Sequence, residues 1–162
     1  MKTFLGLPAH PLFVHAPLVL VPLVALAAVA LAIRPQWRRR CSTALAVAAL
    51  VAMVATFLAM QSGEAFEPAV RDVVNLDTHK SLAQTTRLLV ALFFLGSAAV
   101  AALDRMRGDD RPWADKAAQA VVAITAVVAV AGSVWMARTG HEGAKLVWDG
   151  VELMVRLGIP GR

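Results

Sequence analysis

The chain has 162 residues, is 59% hydrophobic and carries a formal net charge of +5, with a mean hydropathy of +0.65. A small soluble core cannot absorb that much apolar sequence, so the composition excludes an ordinary soluble domain and places the chain in a bilayer. A helical crossing takes about 20 mostly apolar residues. Four segments meet that requirement: Leu12 to Ile33, Ser42 to Met60, Ser81 to Leu103 and Ala117 to Ala137. Their Ala- and Leu-rich makeup lacks the alternation of a barrel strand. The expected fold class is therefore an all-α membrane protein, a four-transmembrane-helix bundle forming a single domain over residues 1–162.

Residues 1–10 form a short lead-in, with Pro11 suited to a first helical position, His10 as its flanking cap and His15 about one turn into the first helix. Pro17 and Pro22 each remove a backbone donor, which predicts a bend near that end. The dense basic run Arg34 to Arg40 follows the first apolar segment, whereas a cleaved signal peptide has its charge before the apolar core, so the segment is expected to stay as a helix. The second helix carries alanines at 44, 48, 52, 55 and 59, a small-residue stripe that lets another helix approach.

Gln61 to Lys80 reads as a loop ending in Asp77-Thr78-His79, with Asp77 or Thr78 as the cap of the third helix and His79 in its first turn. Only Leu88 to Leu103, 16 residues, is free of charge there. Arg87 is thus the deepest charge in the chain. Asp109-Asp110-Arg111-Pro112 breaks and restarts the chain, and Gly140 is expected to end the fourth helix beside Thr139 and His141. Beyond Gly143, apolar Ala144, Val147, Trp148, Val151, Met154 and Val155 recur at threes and fours opposite Lys145, Asp149, Glu152 and Arg156. That pattern predicts an amphipathic interfacial helix over about 144–157.

Arg34, Arg38, Arg39 and Arg40 crowd the first loop, and Arg105, Arg107, Arg111 and Lys116 the third, so these loops should face the cytoplasm and both termini the outside. Trp37 and Trp113 flank the proposed inner ends, Trp135 and Trp148 the outer one, as an aromatic belt requires. The pI near 10.4 reflects these loops, and no nucleic-acid partner is read from it. Cys41 is the only cysteine, so no internal disulfide forms, and no Cys-x-x-Cys-His sequence is present for covalent haem attachment.

All four histidines, His10, His15, His79 and His141, fall at segment ends on the outer side. For His15 and His79 the positive end of the helix dipole disfavours imidazolium and leaves a neutral ring able to ligate metal. Three readings follow. Neutral imidazoles without cysteine suit a non-covalent b-type haem, with Arg87 or Arg138 near the rim for the propionates. The same histidines with Glu64 or Glu142 would bind zinc or copper. In the plainest reading His10 caps a helix, His79 and His141 bond to backbone, and the arginines snorkel. No nucleophile–base pair, phosphate loop or HExxH motif is present.

His10-Pro11-Leu12-Phe13-Val14-His15-Ala16-Pro17, Ser62-Gly63 after the second helix, His79 opening the third, and Thr139-Gly140-His141-Glu142-Gly143-Ala144 with Leu146-Val147-Trp148 and Gly150 resemble domain-of-unknown-function family 2231. These are small bacterial four-helix membrane proteins, and the resemblance covers nearly the whole chain. Members often have Phe at the position of Ala16 and Tyr at that of Trp148; both departures leave the histidines intact. Relatives joined to Rieske or cytochrome-like domains imply redox chemistry for the bundle.

The expectation is a multi-pass protein of the bacterial inner (cytoplasmic) membrane, binding haem b through His15 and His79 as axial pair. His10 and His141 are alternates, and Arg87 and Arg138 the propionate partners. With every histidine on one side, the protein would act in electron relay or redox sensing at the outer face, with a membrane or periplasmic redox partner. It would not conduct electrons across the bilayer. The alternative is a non-redox accessory or structural subunit, binding zinc or copper through the same residues; an oligomer is compatible with either.

Overall fold

The structure is a computed structural model and describes residues 3–4, 7–72, 74–106 and 112–156. After a minimal hairpin of two-residue strands (β1, Thr3–Phe4; β2, Leu7–Pro8), the described chain is helical. The helices are α1 (Ala9–Phe13), α2 (His15–Ile33), α3 (Pro35–Phe66), α4 (Asp77–Met106) and α5 (Pro112–Arg156), with a 3-10 turn at Glu67–Ala69. Four spans are long and apolar enough to cross a membrane: Ala9–Ile33, Pro35–Phe66, Asp77–Met106 and Trp113–Asp149. Arg107 and Arg111, counted above in the third loop, lie outside the described residues, as do Lys2 and residues 157–162.

The first span is broken where proline chemistry dictates. Pro17 has no N–H to offer the turn before it, and the chain steps from α1 to α2 at Val14, which keeps helical angles (φ −66°, ψ −23°). The Val14 N–H still reaches His10 O at 3.1 Å, while Leu18 N–H to Val14 O stretches to 3.3 Å. Helix α1 starts at Ala9, so His10 lies inside it and does not serve as its cap.

The first loop shrinks to one residue. Pro35 pushes Arg34 out of the helical region (φ −120°, ψ 86°) and itself takes the first position of α3. The basic residues 38–40 are therefore helical, because α3 begins at Pro35, well ahead of the apolar segment from Ser42. A helix ends where its backbone bonds end; apolarity ends where the bilayer does. Helix α4 already includes Asp77 and Thr78, so neither caps it from outside; just ahead of the helix, Asn75 Oδ1 accepts from the Asp77 N–H at 2.8 Å.

Helix α5 is continuous through Gly140, so the expected end there and the separate surface helix over 144–157 are both corrected. Glycine stops a helix when it turns left-handed; here its missing side chain serves close packing. A Cβ on Gly140 would lie 3.3 Å from Leu18 Cδ1, and one on Gly143 3.1 Å from His79 Cε1.

The bundle is a ring in which α2 packs on α3, α3 on α4, α4 on α5 and α5 back on α2. Each helix buries one narrow stripe. On α3 it runs Arg38, Ser42, Leu45, Ala49, Ala52, Thr56, Ala59 and Ser62, the three-four alternation of left-handed helix packing. Only Ala52 and Ala59 belong also to the alanine stripe read from the sequence. On α4 the stripe is Thr86, Val90, Phe93, Ser97 and Val100. Small residues dominate these seams, as expected where helices associate by close packing. A Cβ on Gly96 would collide with the Thr125 hydroxyl. Large apolar residues such as Leu26, Ile33, Ile124 and Val127, each about two-thirds exposed, face outward where lipid lies.

Candidate functional site

The two ends of the bundle carry different chemistry. At one end, His10 on α1 meets α3: its Nδ1 lies 3.0 Å from Ala59 O and 3.2 Å from Ser62 Oγ. Since the Ser62 hydroxyl itself donates to Ala59 O at 2.6 Å, both partners of Nδ1 act as acceptors, and the proton belongs on Nδ1. His79 on α4 repeats the arrangement against α5, its Nδ1 donating to Thr139 O at 3.1 Å. Each neutral ring in this tautomer leaves the Nε2 lone pair free, the arrangement in which imidazole ligates metals.

The two rings are neighbours. Their centroids are 6.3 Å apart and their planes nearly perpendicular, at 84°. Each lies against a glycine: a Cβ on Gly63 would stand 2.9 Å from His10 Cε1, and Gly143 plays the same part for His79. The Thr86 and Thr139 hydroxyls meet at 2.9 Å below them, and Thr139 also donates to Trp135 O at 2.8 Å. Helices α1, α3, α4 and α5 thus supply one small polar layer.

Of the six residues singled out from the sequence, His10 and His79 come together. His15 opens α2 and is exposed, as is His141 on α5. The imidazole beside His79 is that of His10, and helix geometry explains why. Five residues turn a helix by about 140° from where it started, so His10 and His15 cannot both face inward. Arg138 is exposed, with its guanidinium 5.2 Å from the Trp135 ring centre. Arg87, two turns along α4 from His79, is exposed in a separate groove between α3 and α4. Among the described residues no three His, Cys, Asp or Glu side chains converge into a metal-binding group. Glu142 instead pairs with Lys145 at 3.6 Å, and Glu64 is exposed.

The opposite end holds a cluster that the charge reading treated as a loop. Arg38 is fully buried and donates to Asp104 of α4 at 2.5 Å and to Asp115 of α5 at 2.7 Å. Asp115 also takes Arg39 through Nε at 3.2 Å and Nη2 at 2.8 Å. One turn along α5, Gln119 donates to Ala32 O near the end of α2 at 2.7 Å. The signal was present in the sequence: Arg38 stands four residues before Ser42 and Asp104 four after Val100, each extending its helix's buried stripe.

The family comparison covers both ends. No curated protein and no solved structure matches the chain. The sequence model of one family, described as a predicted membrane protein (DUF2231), matches residues 6–153, a stretch that runs from before His10 to beyond Trp148. With nearly its whole length matched and four membrane-crossing helices in its structure, the chain belongs to the DUF2231 family of predicted membrane proteins.

Proposed function

We propose that His10 and His79 hold a b-type haem and that the protein works in electron relay or redox sensing at the outer face of a bacterial inner membrane. The observation that carries this is the pairing of two imidazoles from different helices, each with Nδ1 tied to a backbone carbonyl. The two rings are close neighbours in one layer, with centroids 6.3 Å apart, so a single group bound there would have both imidazoles within its reach. Two protein ligands are also the right number for haem, whose porphyrin supplies the other four donors. A closed zinc or copper site takes three or four protein ligands, which favours haem over those metals here. When bound, haem would supply a one-electron iron couple. The chain's own part is to fix the ring tautomers and to offer Arg138, one residue from Thr139, as a cation for the propionates.

The outward orientation rests on Arg34, Arg40, Arg105 and Lys116, which remain exposed at the Arg38 end and mark it as cytoplasmic. With both ligands in one layer at the other end, the cofactor serves that face alone. A non-redox accessory role is the competing reading, favoured by the same hydrogen bonds: His10 ties α1 to α3 and His79 ties α4 to α5.

An absorption spectrum of the purified protein separates the two. A Soret band with reducible alpha and beta bands is expected, lost in His10→Ala and His79→Ala and kept in His15→Ala. Absence of iron and of visible absorbance from the wild-type protein refutes the haem reading.

A further inference from the structure

Between α3 and α4, on the lipid-facing side, lies a cavity of about 290 Å³ lined by Met53, Val54, Phe57, Val90 and Ala91, with Arg87 as its one charged wall. Val54 and Phe57 are about half exposed, so the groove opens outward from the bundle. We propose that it binds one anionic phospholipid, an acyl chain against the apolar walls and the phosphate on the Arg87 guanidinium. The proposal is independent of the histidine pair.

Depth supports it. Arg87 lies ten residues into α4, about 15 Å along the axis. The 30-residue α4, about 45 Å long, exceeds the roughly 30 Å hydrocarbon thickness by about 7 to 8 Å at each end when centred. The Arg87 backbone then lies about 7 to 8 Å inside the hydrocarbon, a depth from which an arginine reaches back to the phosphate layer.

Charge supports it too. At this end of the bundle Lys80 pairs with Glu67 at 2.9 Å, Lys145 with Glu142, and Arg71 with Asp72. Arg87 has no carboxylate partner among the described residues. No Asp or Glu occurs in residues 1–63, 78–103 or 116–141, so a neighbouring helix of this chain or of a second copy offers no carboxylate at the depth of the Arg87 backbone. A phospholipid phosphate carries a negative charge at the required level, and guanidinium binds phosphate in bidentate fashion. A zwitterionic lipid brings its own cation, so net attraction selects the anionic headgroup.

The test titrates the full-length, delipidated protein in detergent with spin-labelled phosphatidylglycerol and, separately, phosphatidylcholine of the same chains. Phosphatidylglycerol is expected to bind roughly five- to tenfold more tightly. The preference disappears in Arg87→Gln and survives in part in Arg87→Lys. Val54→Trp, which fills the groove without touching the charge, weakens both lipids and decides the matter should Arg87→Gln fail to fold. Equal affinity of the wild type for the two lipids overturns the proposal, and so does a preference unchanged in Arg87→Gln or binding unchanged in Val54→Trp. Disulfide-linked dimers formed through Val54→Cys in a Cys41→Ser background would assign the groove to a second copy and overturn the proposal as well.

Discussion

Replacing Arg38 by Met keeps the length of the side chain and removes its charge, which isolates what the buried guanidinium does. Two carboxylates lean on it, but unequally. Asp115 is 31% exposed and keeps Arg39 at 2.8 Å, whereas the Asp104 side chain is 5% exposed and has Arg38 as its ion-pair partner. The substitution therefore strands one buried carboxylate. Breaking a buried pair in this way costs about 3–5 kcal/mol, and with Asp115 still paired the lower end, about 3 kcal/mol, is expected. The double variant Arg38→Met/Asp104→Leu removes the stranded charge as well and should recover most of the loss, since an apolar replacement of a buried pair is often neutral. Arg39→Ala, at an exposed position, should have a much smaller effect. Reversible unfolding of the detergent-solubilised protein, followed by far-UV circular dichroism, measures all of these. An Arg38→Met variant as stable as Arg39→Ala, or a double variant no better than the single, would refute the reasoning.

Two further outcomes follow from the packing and the topology. Gly96→Ala should destabilise the bundle by about 1–3 kcal/mol because its methyl meets the Thr125 side chain. Gly132→Ala, where the nearest atom would be Leu89 Cβ at 3.6 Å, should be neutral or stabilising, by up to about 1 kcal/mol through helix propensity alone; equal melting shifts for the two would contradict the seam described. Cys41, exposed at the Arg38 end of α3, should escape a membrane-impermeant maleimide in intact cells. A cysteine at Glu64 in a Cys41→Ser background should react, and the reverse pattern would invert the orientation.

The four spans were legible because their apolar length exceeds anything a small soluble fold needs. Their ends were not, since Arg38 to Arg40 and the residues after Gly140 are good or tolerable helix formers outside the apolar windows. Histidine convergence at one end could be read from the up-and-down order of four helices. Which histidine faces inward could not, because that depends on the rotation of α1 and α2 about the Val14 step. Arg38 was hidden by its own neighbours: in a run of basic residues, the one buried is marked only by its register with Ser42 and Leu45. Gly140 and Gly143 misled for a related reason. A glycine read in isolation suggests a stop, while its use here depends on Leu18 and His79, far away in sequence.

The two polar ends also explain how a bundle with so plain an interior selects one register. Between Arg38 and Ala59 the buried α3 stripe is alanine, leucine, serine and threonine, residues that would pack almost as well after a slip of one turn. Such a slip displaces a helix by about 5.4 Å. It would pull Arg38 away from Asp104 and Asp115 and, three heptads on, carry the Ala59 carbonyl out of reach of His10. An apolar core resists that shift weakly; a buried guanidinium shared by two carboxylates resists it strongly, the best-attested role for polar groups in helical interiors. The cluster at one end thus helps to fix the register that keeps the His10 and His79 rings at the other end 6.3 Å apart. Loosening it, as in Arg38→Met, should broaden the geometry of His10 and His79 even though neither touches Arg38.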